Sequence, residues 1–209
     1  MSDAPSLAGI LLAAGASSRL GRPKQLVVIG GRSLVRRAAE YYLGIDTPGL
    51  ELLSLTVVSG HAAGEVSEQL VDLPVRVEFY PGWSSGMGAS LAFGAGLVPR
   101  RADGVVVLLC DQWRLDPSRL SYLARCWLTD ISNICCSQWK QGSIRNYGAP
   151  SIFPRKYIHE LKYIEKDHGA KSIIDRYHGS TRFAQIDEAG LDVDSEEDLA
   201  VARKTADQA

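Results

Sequence analysis

Residues 9–24 read GILLAAGASSRLGRPK. An apolar run, Ile10-Leu11-Leu12-Ala13, stops at Ala14-Gly15 and opens into a loop of small residues that ends in Arg19, Arg22 and Lys24. This pattern describes a buried strand delivering a glycine-containing, basic loop to the surface. Such a loop can hold a polyphosphate, because backbone N–H groups approach an anion closely where no Cβ intervenes, and cations offset its charge. Across residues 4–39 there is no Asp or Glu, whereas Arg19, Arg22, Lys24, Arg32, Arg36 and Arg37 are all positive. In a chain of net charge −1 that is a local field for an anion. The residue types leave a solvated basic loop open as the alternative.

Outward from this stretch, apolar and β-branched runs alternate with helical patterns. The spacing predicts strands at residues 8–13, 52–58, 75–79 and 104–109, and later ones near 134–138, 149–153 and 182–186. Between them it predicts helices at 33–43, capped by Ser33, at 62–70, at 86–97, and from Asp116-Pro117 to about Trp127. Further helices are expected near 155–161, 170–177 and 195–205, while residues 139–147 are polar and read as a surface loop or hairpin. Alternation on this scale predicts an α/β fold, a three-layer, doubly wound, mostly parallel sheet with helices on both faces. Ligands of such sheets collect at the carboxyl ends of the strands, where Ala14-Gly15 and Cys110-Asp111 both fall.

At 209 residues and 45% hydrophobic content, one domain over residues 1–209 is expected. No apolar run reaches the ~18–20 residues that span a bilayer. The opening MSDAPSLAG carries no basic segment or cleavage site, and Cys110, Cys126, Cys135 and Cys136 have no CxxC spacing. A cytoplasmic protein with buried, unpaired cysteines is the expectation. Near-neutral charge argues against a nucleic-acid partner.

Two familiar phosphate loops are excluded. Gly15 and Gly21 are one residue too far apart for GxxxxGK[ST], and Gly86-Met87-Gly88 is followed by Leu91 where GxGxxG needs its third glycine. Three other features carry chemistry. Asp111 directly follows the apolar run GVVVLLC and should emerge at a strand end, either to hold a hard cation such as Mg²⁺ or to cap a turn. Asp192 and Asp194 fall on one side of an extended segment, ahead of Ser195 and Asp198, which also suit a capping box. The turn from Trp83 to Ser90, with Gly86 and Gly88, leaves free N–H donors and small side chains at the start of a helix.

Together these segments resemble a known family. LLAAGASSRLGRPKQL resembles the signature L-A-x-G-x-S-x-R-x-G-x-x-K of the MobA-like nucleotidyltransferases, and the chain is most similar to their molybdenum cofactor cytidylyltransferase branch. GMGASLAFG resembles that branch's GMGxSL segment, LLCDQW its LLxDQP, and NYGAP with IFPRKYIHEL its GxP-then-helix stretch. EKDHGAKSII resembles its GDxGAR segment and DVDSEEDL its D-x-D-T-P-E-D-L ending.

The resemblance implies a Rossmann-like nucleotidyltransferase fold and transfer of CMP from CTP to molybdopterin, with release of pyrophosphate and Mg²⁺ as the metal. It implies that Leu12, Ala13, Ala14, Gly15, Ser17, Ser18, Arg19 and Lys24 bind the nucleotide. Gly86, Gly88 and Ser90 would lie at its base, Arg19 and Lys24 would stabilise phosphate charge, and Asp111 and Asp194 would hold the metal. Ala13-Ala14-Gly15 favours CTP over GTP. A recipient molybdoenzyme would be the partner, and a cofactor-carrying chaperone, GTP, or another phosphate acceptor are the alternatives. Trp113 and Glu196 stand where the family pattern has Pro, Lys166 where it has Gly, and Lys171 where it has Arg. A bulky Trp113 beside the metal aspartate is expected to reshape the acceptor site.

Overall fold

A computed structural model describes residues 4–17, 20–164 and 168–206. In chain order the strands are β1 (Ser6–Ala13), β2 (Val28–Ile29), β3 (Arg32–Ser33), β4 (Glu51–Ser59), β5 (Val75–Phe79), β6 (Gly104–Leu109), β7 (Cys135–Gln141), β8 (Ile144–Pro154) and β9 (Arg182–Gln185). The helices are α1 (Leu34–Leu43), α2 (Ala63–Gln69), α3 (Met87–Gly96), α4 (Pro117–Leu128), α5 (Arg155–Lys162), α6 (Lys171–Arg176) and α7 (Glu196–Ala206). Seven strands form one sheet in the order β5-β4-β1-β6-β8-β7-β9, and β2 and β3 form a separate small ribbon. The central β5-β4-β1-β6 block is parallel. β8 runs antiparallel to both β6 and β7, while β9 returns parallel to β7. The polar stretch at 139–147 is the tip of the β7–β8 hairpin.

Strand alternation divides the core into two faces. On β1 and β6, Leu7, Leu11, Val106 and Leu108 pack against α1, α2 and α4. Their neighbours Ile10, Leu12, Val105 and Val107 pack against α3, α5 and α6. Every residue of β1 is buried, so the near-continuous apolar run follows from a strand covered on both sides. Gly9 leaves room for the Tyr42 ring, since a Cβ there would lie 2.8 Å from it. The Tyr42 hydroxyl sits 2.9 and 3.0 Å from the carbonyl oxygens of Leu7 and Leu53, and ties α1 to β1 and β4. On the opposite face α3 lies close against the sheet because Gly94 meets Ile10 and Val58 directly.

Two capping expectations part ways. Asp116 caps α4 by accepting from the Arg119 N–H at 3.0 Å, with Pro117 opening the helix. Ser33 does precede α1, but its hydroxyl caps nothing and is buried without a hydrogen-bond partner.

The tight seat of α3 gives a first prediction. A Cβ on Gly94 would sit 2.9 Å from methyls of Ile10 and Val58, two stiff β-branched residues. Gly94→Ala is therefore expected to destabilise the protein by about 1–3 kcal/mol through overpacking, measured by urea unfolding.

Candidate active site at the carboxyl ends of β1 and β6

The chain crosses from β1 to β4 on one side and later returns to β6 on the other, so β1 and β6 flank a switch point in strand order. There a cleft of about 320 Å³ opens. The end of β1 and its loop line it through Leu12, Ala13, Ala14, Gly15, Ser17 and Lys24. The turn before α3 contributes Trp83, Gly86, Met87 and Ser90, and β6 contributes Leu109, Cys110 and Asp111.

The loop is held by its own atoms. Ser17 takes a left-handed φ of 55° and its hydroxyl accepts from the Lys24 backbone N–H at 3.1 Å. Gln25 is buried, and its amide donates to the carbonyl oxygens of Gly15 and His61, each at 3.1 Å. That amide staples the β1 loop to the loop after β4. Gly15 has no left-handed φ, and nothing lies within 4 Å of where its Cβ would stand. Neither backbone strain nor packing accounts for a glycine there, whereas a ligand passing close to the main chain does.

The centre of the site is an ammonium between two carboxylates. Lys24 Nζ donates to Asp111 Oδ2 in a very short contact and to Asp194 Oδ1 at 3.0 Å. Burial alone would lower the lysine pKa, but the charge and hydrogen bond of Asp111 outweigh it and hold the proton on. The second oxygen of Asp111, Oδ1, is buried with no hydrogen-bond partner. Asp194 reaches the site because its segment pairs back onto the end of β6: Gln112 bridges Asp192, and the Val193 N–H donates to the Asp111 carbonyl at 3.1 Å. Ser195 and Asp198 form the reciprocal capping box of α7, at 2.9 and 3.2 Å, and Asp198 also accepts from the Asp194 N–H. A small satellite core lies beneath this junction, where Leu20, Val27, Ile29, Leu34, Trp113, Val193, Leu199 and Ala202 pack together.

A buried carboxylate oxygen without a partner, beside a second carboxylate, is a donor set suited to a hard divalent cation. Among the described residues no group of three or more His, Cys, Asp and Glu forms a metal cage. The set therefore fits a metal such as Mg²⁺, which binds through one or two carboxylates and keeps waters or phosphate oxygens for the rest.

A second pocket of about 200 Å³ shares Leu12, Met87 and Leu109 with the first and continues to Gln112, Trp139, Lys171 and Asp192. Gln112 is buried, and its amide donates to the carbonyl oxygens of Ala149 at 2.6 Å and Ala189 at 2.7 Å. Trp139 reaches in from the β7–β8 hairpin and packs against Gly190, where a Cβ would come within 2.3 Å of its ring. Lys171 stands 4.7 Å from the ring centre of Tyr147, whose hydroxyl donates to Asp175 at 2.6 Å.

Several expectations change. Trp113 lines neither pocket; it is buried in the satellite core, and its carbonyl accepts from Tyr41 and Arg37. Gly88 is buried within α3 and is not part of the cleft lining, because at i and i+3 it shares the inner side of the helix with Leu91. The broad basic field is also reduced. Arg22 pairs with Glu196, Arg32 with Glu40, and Arg36 with Glu40 and Asp72, so acids outside the run pair with them. Ser18, Arg19 and Lys166 lie outside the described residues. The cysteines are free, and burial pushes the Cys110 and Cys135 thiols up to about 12, which leaves them unreactive. Gln25, Gln112 and Trp139 were not singled out from sequence. A glutamine following the loop lysine and another following the strand-end aspartate were the signals for the first two, and Trp139 offered none.

Asp192 stays open to the second pocket, yet the surrounding protein desolvates it, and the negative Asp111 adds to this; together they raise its carboxyl to about 7. A carboxyl with a native pKa above its ordinary 3.8 holds its proton longer folded than unfolded, so its share of stability falls as pH rises from about 4 through about 7. With chelator present, the melting temperature of wild type relative to Asp192→Asn is expected to drop across that window and level off above it, as read by thermal melts at each pH.

Residues 9–182 match the MobA-like NTP transferase domain. Among solved structures, Rv0371c from Mycobacterium tuberculosis H37Rv is similar, with 26% identity and a TM-score of 0.77 over 96% of this chain and 98% of that one. A nucleotidyl transferase from Methanothermobacter shares the fold, with a TM-score of 0.76 at 20% identity over 97% and 98% of the two chains. Nicotine blue oxidoreductase of Paenarthrobacter nicotinovorans is 39% identical over 111 residues, which is 53% of this chain and 52% of that protein. The chain thus spans about half the length of that curated relative. Among the described residues no helix is long and apolar enough to cross a membrane. With the match running through the loop, the strand-end aspartate and most of the sheet, the chain belongs to the MobA-like NTP transferase family.

Proposed function

We propose that this protein is a cytoplasmic, Mg²⁺-dependent cytidylyltransferase that transfers CMP from CTP to molybdopterin, for delivery to a recipient molybdoenzyme. The observation that carries the reading is the Lys24 ammonium set between Asp111 and Asp194, at the meeting of a glycine-lined cleft and a second pocket. The cleft would take the nucleotide, with its triphosphate along Gly15, Ser17 and Lys24 and its base toward Gly86 and Ser90. Ser18 and Arg19 belong to the same loop and are assigned with it by resemblance. The second pocket would take the acceptor between Trp139, Gln112 and Lys171.

A terminal phosphate oxygen of the acceptor attacks the α-phosphorus of CTP, the bond to the α–β bridging oxygen breaks, and pyrophosphate leaves. Such a transfer needs alignment and charge neutralisation more than a covalent intermediate. Lys24 supplies a cation to the triphosphate, and the Gln25 staple keeps the main chain of the loop in place for it. Asp111 and Asp194 would hold Mg²⁺, which when bound supplies positive charge to phosphate oxygens. A structure of Rv0371c with manganese, and one of a CMP-KDO synthetase with CTP, are both of this fold, which is in line with a divalent metal and with cytidine.

Pyrophosphate release, measured with molybdopterin and CTP, GTP, ATP or UTP in turn, tests the reading. Release with CTP alone, falling by about 10²-fold or more in Asp111→Ala, is expected. Release with GTP would keep the chemistry and overturn the base. Nucleotide binding without release would favour the carrier reading, and turnover of nicotine blue instead would favour the activity named for the Paenarthrobacter relative. Gly15→Val is expected to raise the KM for the nucleotide severalfold with little change in melting temperature, because its side chain would fill cleft and not core.

A further inference from the structure

The ammonium of Lys24 stands where two carboxylates converge, and this has a bearing on how the site fills. Asp111 and Asp194 stand far apart in sequence, yet both reach the same Nζ atom. The side chain of Asp111 is nearly enclosed, and its remaining oxygen has no hydrogen-bond partner. A divalent cation using these two carboxylates would meet a positive charge already seated between them. To bind between them it must displace Lys24 from Asp111 Oδ2 and Asp194 Oδ1, and a lysine that leaves a buried carboxylate needs another anion to go to.

The main chain allows that exchange. The Lys24 N–H is fixed on the Ser17 hydroxyl, and the next residue, Gln25, is clamped to Gly15 and His61. Only the lysine side-chain torsions have to change for Nζ to turn from the carboxylates into the adjoining cleft, which Lys24 also lines. A triphosphate in that cleft is the anion that would receive it.

We propose that Lys24 is a resident counter-ion that occupies the metal position in the free enzyme, so that the divalent metal and the nucleoside triphosphate enter together and each opens the site to the other. This rests on the nucleotidyltransferase reading of the cleft and adds to it a reciprocal coupling between the two ligands. Metal alone gains nothing for the lysine it displaces. Nucleotide alone draws the lysine away from the nearly enclosed Asp111 carboxylate with no cation to replace it.

Calorimetric titration with Mn²⁺, in the absence of nucleotide, tests the inference without reference to activity. Wild type and Lys24→Arg are expected to bind Mn²⁺ weakly, and Lys24→Met at least tenfold more tightly, with the gain abolished in Lys24→Met/Asp111→Asn. Equal Mn²⁺ affinity in wild type and Lys24→Met overturns the inference. If Mn²⁺ with CTP still binds through Asp111 in that case, the cytidylyltransferase reading survives. If neither protein binds Mn²⁺ with CTP, that reading falls as well.

Removing the lysine can unsettle the fold, so a second measurement uses the unmodified sequence. In protein labelled at the lysine side chains, the Lys24 signal, assigned by its loss in Lys24→Arg, is expected to stay unmoved with Mg²⁺ alone and to shift when Mg²⁺ and CTP are added together. A full shift with Mg²⁺ alone overturns the coupling.

Discussion

Two carboxylates and one ammonium, separated by 87 and 170 residues in sequence, meet at a single point, and the architecture around the site serves to bring them there. Asp111 is carried to that point by a buried strand, and the ion pair with Lys24 offsets the cost of desolvating its carboxylate. Asp194 arrives by a different route, on a segment hydrogen-bonded to the end of the same strand and locked at its far side by the α7 capping box. Lys24 arrives on a loop that would be free to swing were it not for Gln25 and Ser17. The satellite core under the junction joins all three deliveries: Leu20 and Val27 from the loop, Trp113 from beyond β6, and Val193 and Leu199 from the closing segment.

The fold was legible in sequence to within a residue or two at most element ends, since both periodicities were strong. β1 beyond Ser6 and all of β6 are apolar, as suits strands covered on both faces, and α4 and α7 carry cap residues that bond as their spacing implies. What was not legible was the antiparallel placement of β8 between β6 and β7. It depends on which edge of the sheet the hairpin joins, and no local pattern encodes that. The same limit hid Trp139, whose stretch is polar and whose ring finds its place only against Gly190, far along the chain.

Charge behaved in the same way. A run of cations without an acid reads as a field when only the run is in view. In three dimensions Glu40, Asp72 and Glu196 meet Arg32, Arg36 and Arg22, and half of the run's six cations are paired at the surface. Lys24 is the described cation of the run that faces the cleft, and it faces carboxylates of its own. The misreading of Trp113 has a related cause: adjacency in sequence to Asp111 suggested adjacency in the site, but four residues beyond the end of β6 the chain has already turned into the packing beneath it.

The hydrogen bond from the Val193 N–H to the Asp111 carbonyl bears on how the protein comes into being. During synthesis the parallel centre of the sheet, with β1, β4, β5 and β6, is available to fold well before Val193 has been added, and domains gain structure from the amino-terminal side first. Over that interval a growing chain carries the glycine loop, Lys24 and Asp111 but not the second carboxylate. A nascent chain therefore presents an anion-attracting loop with half of its acidic counterpart, and it acquires the complete set only when the closing segment lies down along the end of β6.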